Sequence, residues 1–372
     1  MREMLGQQQR QVFVGALIFQ LFALVSSPNV LGQGGCGSVC LPLEALDPLP
    51  RWSNSIDSEL FTDFSADSES VESTPSTSGA PGADLLTTRT CRPLTQVTFT
   101  SEFADFKNFR EGEESIFNPG GNDAYIVQSA MFVDYFATER FTLSLLATHV
   151  KKDQFTRRLG HRQAIGFGDI AAFGRYEVVQ PCAHGNGPSI WLGLGVKFPT
   201  ASIDEPTGSP RLPPAFQVGS GAHDLIPSLS FYENFDGWSL FGSYFARLPL
   251  ERNRIGYRFG QEHELHVGVR RPLPSFCDRI ALLMSLDYLS AFHDSDFGLT
   301  LPARVRDGVR VLNTGGEFLS LTPGVSFEFI QDVVIQTRFF LPVYQNWHGE
   351  RSRDVGQVSP DFSTQVTVSY RH

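Results

Sequence analysis

From about Leu94 to the C-terminus, apolar and polar residues alternate with a period of two in one segment after another. In SIWLGLGVKFP, Ile190, Leu192, Leu194, Val196 and Phe198 form one stripe. Ser189, Trp191, Gly193, Gly195 and Lys197 form the other. In WSLFGSYFARLPL, Trp238, Leu240, Gly242, Tyr244, Ala246 and Leu248 oppose Ser239, Ser243 and Arg247. EHELHVGVRR sets Leu265, Val267 and Val269 against Glu264, His266, Gly268 and Arg270, and FLSLTPGVSFEF sets Leu319, Leu321, Val325, Phe327 and Phe329 against Ser320, Thr322, Ser326 and Glu328. Successive side chains of a strand point to opposite faces, so each segment predicts a β-strand with one oily face. About twelve strands are predicted, near 94–106, 124–137, 140–150, 166–179, 189–199, 224–234, 238–249, 262–271, 278–291, 317–330, 333–343 and 362–371.

The connections between these segments alternate in length. KNFREGEESIFNPGGND is long and TER is tight; TASIDEPTGSPRLPPAFQVGSGAH is long and FDG is tight. The twenty-odd residues around HDSDFGLTLPARVRDGVRVL precede the minimal link QD. Transmembrane barrels follow this rule, with short turns on the periplasmic side and long loops outside. In lipid every backbone N–H and C=O needs an internal partner, which an all-strand chain achieves only by closing on itself. The predicted fold is therefore all-β, a transmembrane antiparallel β-barrel of about twelve strands, the apolar stripes facing lipid and the polar stripes facing the lumen. Aromatics near strand ends, including Tyr135, Phe198, Tyr232, Phe292, Phe339, Phe340, Tyr344 and Trp347, are expected in the interfacial girdles.

The charged residues on inward parity are the candidate functional residues. They are Asp169, Arg175, Glu177, Lys197, Arg247, Glu264, Arg270, Glu328 and Arg338, with Asp134 and Asp287 beside them. Mixed charge inside a barrel either lines a water-filled path or pairs across the lumen and holds the wall rigid.

One stretch invites a different chemistry. IGFGDIAAFGRYEVVQ contains Gly166-Phe167-Gly168-Asp169-Ile170-Ala171, a formal match to the dinucleotide-binding G-x-G-x-x-G/A. That loop needs an apolar strand before it and a helix after it, with an acid some twenty residues on. Here polar, basic RRLGHRQAI precedes it and AFGRYEVVQ follows it, so no cofactor is expected. The two glycines instead mark a strand that bends or approaches a neighbour closely. His263 and His266 have a spacing that suits a metal on a helix, but on a strand they point to opposite faces, and no metal is expected either.

Composition adjusts the picture at the N-terminus. The formal net charge is −10, which argues against nucleic acid as a partner. Part of it is local, since Asp57, Glu59, Asp63, Asp67, Glu69, Glu72 and Asp84 stand in a stretch without Lys or Arg. The Ser/Thr/Pro/Gly-rich run SADSESVESTPSTSGAPGADLLTT cannot bury enough apolar surface to order itself, so residues 33–92 are expected to form a flexible acidic periplasmic extension. Before it, Arg2 and Arg10, the apolar stretch Val12 to Val25 and the small-residue exit SSPNVLGQ have the layout of a secretory signal over residues 1–32. Export permits disulfides, and Cys36 and Cys40 in CGSVC are candidates for one, with each other or with Cys91. The barrel is expected over residues 93–372.

GFGDIAAFGRYEVV, LGLGVKFPTASIDE, FQVGSGAHDLIPSLSFY and GSYFARLPL stand in the order and spacing of a known group. Over residues 94–372 the chain resembles the MetA-pathway phenol-degradation family of outer-membrane barrels, which is similar in idea to the long-chain fatty-acid transporter barrels. The resemblance implies an outer-membrane transporter or channel for small, aromatic or apolar compounds, with outer-membrane lipid, the assembly machinery and a small-molecule solute as partners. Two alternatives stay open: a barrel enzyme acting on lipid or peptide at the membrane surface, and a plugged structural or adhesive barrel.

Overall fold

The period-two segments pair antiparallel with their neighbours in chain order, and the last pairs with the first. In the computed structural model the described residues are 95–115, 123–156, 160–180, 187–203, 214–235, 237–273, 277–299, 301, 306–312, 314–330, 332–348 and 357–371. The signal-like segment, the acidic extension, Cys36 and Cys40 lie outside them. The strands are β1 (Thr95–Glu111), β2 (Asp123–Phe136), β3 (Phe141–Thr156), β4 (Ile170–Val179), β5 (Ser189–Phe198) and β6 (Asp224–Phe235). They continue as β7 (Trp238–Pro249), β8 (Glu262–Leu273), β9 (Cys277–Ala291), β10 (Gly316–Ile330), β11 (Val333–Trp347) and β12 (Gln357–Arg371). Twelve strands thus close into one barrel, sealed by β12 on β1 from Gln96↔Arg371 to Arg110↔Gln357. Closure leaves no free edge, so the ladder satisfies the backbone of the wall.

The outer surface is apolar. Leu143 and Leu145 on β3, Leu192 and Leu194 on β5, Leu265 and Val267 on β8, and Leu282, Met284 and Leu286 on β9 are all exposed. Soluble proteins rarely leave a contiguous apolar patch beyond a few hundred Å² in water, whereas a lipid phase solvates such a belt at no cost. Aromatics rim the belt, among them Tyr135, Phe198, Phe292, Phe339 and Tyr344. Three expected members of this girdle are buried instead. Tyr232 and Phe340 share inward parity with Ser230 and Arg338. Trp347 turns inward because the β10–β11 register slips between Leu319 and Ser320, reversing the alternation beyond it.

Two long connections differ from their sequence reading. KKDQFTRRLGHRQAI is a hairpin rather than a loop: β3 runs on to Thr156, and Gly160–Phe167 pairs back on it from Thr156↔Gly160 to His149↔Phe167. The break between Phe167 and Ile170 is a bulge. The Gly168 amide donates to Thr148 O at 2.9 Å, and a Cβ at Gly168 would collide with the Thr148 hydroxyl. Glycine is required by that close approach, and the extra residue lets Asp169 face inward while Phe167 stays outside, 77% exposed. The other case is the segment around Pro214–Phe216, a short 3₁₀ turn whose side chains pack inside the barrel mouth.

Candidate functional site: the lumenal wall

Every second residue of each strand faces the interior, so these side chains form the surface that any solute in the barrel would meet. Towards the short-turn end, Asp134 on β2 accepts from Ser144 Oγ at 2.5 Å and from Arg175 Nη2 at 3.2 Å. Arg175 fits because β5 offers Gly193 opposite it, where a side chain would crowd the arginine stem. Glu177 accepts from Ser189 Oγ at 2.7 Å and from Gln180 Nε2 at 3.1 Å.

Towards the long-loop end, one ionic chain runs around the wall from β5 to β8. Lys197 Nζ lies 2.5 Å from Asp224 Oδ2 and 3.6 Å from Asp169 Oδ2. Arg247 Nε lies 3.8 Å from the same Asp224 oxygen, and its Nη2 donates to Glu262 Oε1 at 2.6 Å. A second group spans β8 to β11. His266 Nδ1 is hydrogen-bonded to Asp287, and its Nε2 lies 2.8 Å from Glu264. Thr322 also donates to Asp287. Arg338 Nη2 donates to Ser285 Oγ at 2.7 Å and lies 3.7 Å from Asp287. Ser285 Oγ also donates to Asp287, at 3.2 Å, which ties serine, carboxylate, imidazole and arginine into one network. His263, three residues before His266, lies on the outer face and stacks on Tyr244 with ring centroids 6.2 Å apart.

Asp169, Arg175, Lys197, Arg247 and Arg338 are therefore all buried in ion pairs within the wall, and Glu264 is buried against the His266 imidazole. Such pairs are strong only when both members are present, because each charge has given up its water. Glu177 is held by neutral donors. Glu328 lies on the parity of Ser326, half-buried near the short-turn end. Arg270 differs from all of these, since its Nε and Nη1 have no hydrogen-bond partner among the described residues.

The lumen also holds apolar clusters that the charge pattern did not reveal. Phe132, Leu146, Ala171, Ile226 and Phe245 pack together inside, with Phe173 against them. Phe173 lies over Gly195, where a Cβ would run into its ring. The signal was present in the sequence: Phe241 and Phe245 alternate with Ser239, Ser243 and Arg247, and so share the inward face.

The segment around 214–222 runs from the β5–β6 connection along the inner wall to β1–β3. Phe216 packs on the cluster of Ala104, Phe106, Ala124, Ile126 and Val150 from β1 to β3. Lys152 Nζ donates to Gln217 O at 2.9 Å, and Lys197 Nζ to Ser220 Oγ at 2.8 Å. Asp169 accepts from the Ser220 amide and hydroxyl at 2.9 and 2.7 Å and from the Ala201 amide at 3.0 Å. The bulge that turned Asp169 inward is what anchors this segment to the wall.

Beyond the wall, the 250–261 and 292–315 connections join through a small sheet in which Tyr257 pairs Asp296 and Ser295 pairs Arg310. Asp294 is buried there, accepting from Tyr257 Oη at 2.5 Å and from the Gly260 amide at 2.7 Å. Burial, opposed by those hydrogen bonds, pushes its carboxyl up to about 6. His293 stacks on His348 with centroids 4.2 Å apart, beside Arg310. Burial, His348 and Arg310 together lower its pKa to about 4. The raised carboxyl contributes stability below its ordinary 3.8, and that contribution is lost as pH rises through about 6. The lowered imidazole contributes above its ordinary 6.5, and that contribution is lost as pH falls through about 4. In the native chain the two oppose each other over the same range. Asp294→Asn should expose the histidine's contribution, so that proteolysis within 297–312 accelerates as pH falls from about 6.5 to about 4. His293→Gln should do the reverse, and equal pH profiles for both variants would disprove the assignment.

No family model and no curated protein matches the chain. Among solved structures, an outer membrane channel from Pseudomonas putida F1 superposes with a TM-score of 0.57 at 10% identity, covering 76% of this chain and 96% of that one. The β domain of the Bordetella autotransporter BrkA gives 0.40 at 10% identity, over 75% of this chain and all (100%) of that one. The Pseudomonas putida toluene transporter TodX gives 0.35 at 11% identity, over 74% and 89%. By the first of these likenesses, the chain has the barrel fold of an outer membrane channel protein.

Proposed function

We propose that this protein is an outer-membrane channel that passes small apolar or aromatic solutes by passive or facilitated diffusion, without chemistry. The observation that carries this reading is the combination of an apolar outer belt with an inner wall on which paired charges alternate with aromatic clusters. The paired charges keep the wall rigid and hydrated, and the phenylalanines offer weak apolar contacts along the path. The family that the sequence motifs resemble, and the outer membrane channel of similar barrel fold, support the same reading. In it the long loops lie outside the cell, residues 1–32 are a cleaved export signal, residues 33–92 an acidic periplasmic extension, and the outer-membrane assembly machinery inserts the barrel.

A second reading, a plugged structural barrel, draws on the 214–222 segment held inside the barrel by Asp169, Lys152 and Lys197. Reconstituted full-length protein separates the two. A channel should give liposome swelling with small neutral solutes and discrete conductance steps in planar bilayers. Silence in both assays, with the barrel folded by gel mobility, would overturn the channel reading.

A further inference from the structure

Arg270 stands on β8 near the short-turn end, facing inward and only 9% exposed. Among the described residues its Nε and Nη1 have no hydrogen-bond partner, although the other buried arginines of the wall, Arg175, Arg247 and Arg338, lie in ion pairs. A buried guanidinium is costly unless something accepts from it, and its planar fork matches a carboxylate in bidentate fashion. The surroundings are apolar on one side. Leu283 is directly opposite on β9, and Leu283 packs with Tyr232 and Phe241. Phe241 lies over Gly268, two residues before Arg270, because the glycine leaves its ring room. On the other side Ser239 faces Arg270 from β7, already tied to Tyr232 Oη at 2.9 Å and to Asn234 at 2.7 Å. The hydroxyls beside the arginine are thus committed to each other, and the cation is left facing an aliphatic and aromatic cluster.

We propose that Arg270 with Tyr232, Phe241 and Leu283 forms a binding site for an aromatic carboxylate at the short-turn mouth of the lumen. The carboxylate would bridge Nη1 and Nη2 at the end of the guanidinium fork, and its ring would rest on the cluster. An inorganic anion would satisfy the arginine but leave the apolar wall unused, and a neutral aromatic would do the opposite. This deepens the channel reading by naming a solute class, and it rests on that reading only for transport and not for binding.

The experiment measures both. Calorimetric titration of the detergent-solubilised full chain with benzoate should show saturable binding, with benzyl alcohol and acetate each weaker by about tenfold or more. Arg270→Gln should lose benzoate binding to the level of benzyl alcohol, and solute flux is read on wild-type protein in proteoliposomes. Arg270→Lys, which keeps the charge and loses the fork, should fall in between. Phe241→Leu should weaken benzoate and leave acetate unaffected, which keeps the test informative if an arginine variant fails to fold. Benzoate bound equally by wild type and Arg270→Gln, or acetate bound as well as benzoate, would overturn the site. Benzoate binding without flux of any solute would sustain the site and refute the channel instead.

Discussion

Arg247→Met should be among the most destabilising substitutions in the lumenal wall, at about 3–5 kcal/mol. Arg247 and Glu262 are both fully buried, and their 2.6 Å contact is flanked by Asp224. Removing the arginine leaves Glu262 in the wall without its cation, and the lost solvation of that carboxylate is no longer offset. Methionine fills much of the volume, so the effect is electrostatic rather than a cavity. The readout is the urea midpoint in detergent micelles, or the temperature at which the compact, fast-migrating form is lost on unboiled gels. The double variant Arg247→Met with Glu262→Gln should recover much of the loss, because it removes the stranded charge. A single variant as stable as wild type would show that these charges do not hold the wall.

Leu194→Arg should cost about 2–4 kcal/mol, the penalty for arginine on the lipid face near the bilayer midplane. Leu194 lies at the middle of β5 on the outer surface, 54% exposed. In water the same change would be close to neutral or would improve solubility, so its sign reports which solvent the residue meets. Leu194→Val is the control and should be near neutral in lipid. A Leu194→Arg protein that folds into vesicles as readily as wild type would refute the lipid-facing assignment of this stripe.

The sequence was most legible where the physics is local. Strand positions follow from period-two alternation, and the observed bounds extend most predicted segments by a few residues, as where β1 reaches Glu111 and β11 reaches Trp347. The hairpin through Gly160–Phe167 was hidden because its basic, polar residues read as loop. The bulge at Gly168 and Asp169 was signalled only as a glycine pair that had to bend or approach a neighbour. The stretch that resembled a phosphate loop became an anchor for the 214–222 segment.

By itself, the sequence determined that there are about twelve strands, which face of each is oily, and which charges lie on the inward parity. Those properties depend only on the alternation of neighbouring residues along one strand. The tertiary structure decided which charges meet, since Arg247 finds Glu262 and Asp134 finds Arg175 only through strand order and register. It also decided which aromatics enter the lumen, because a single register slip reverses parity and carries Trp347 inside. Register is a property of two strands together, and a single strand's pattern does not contain it.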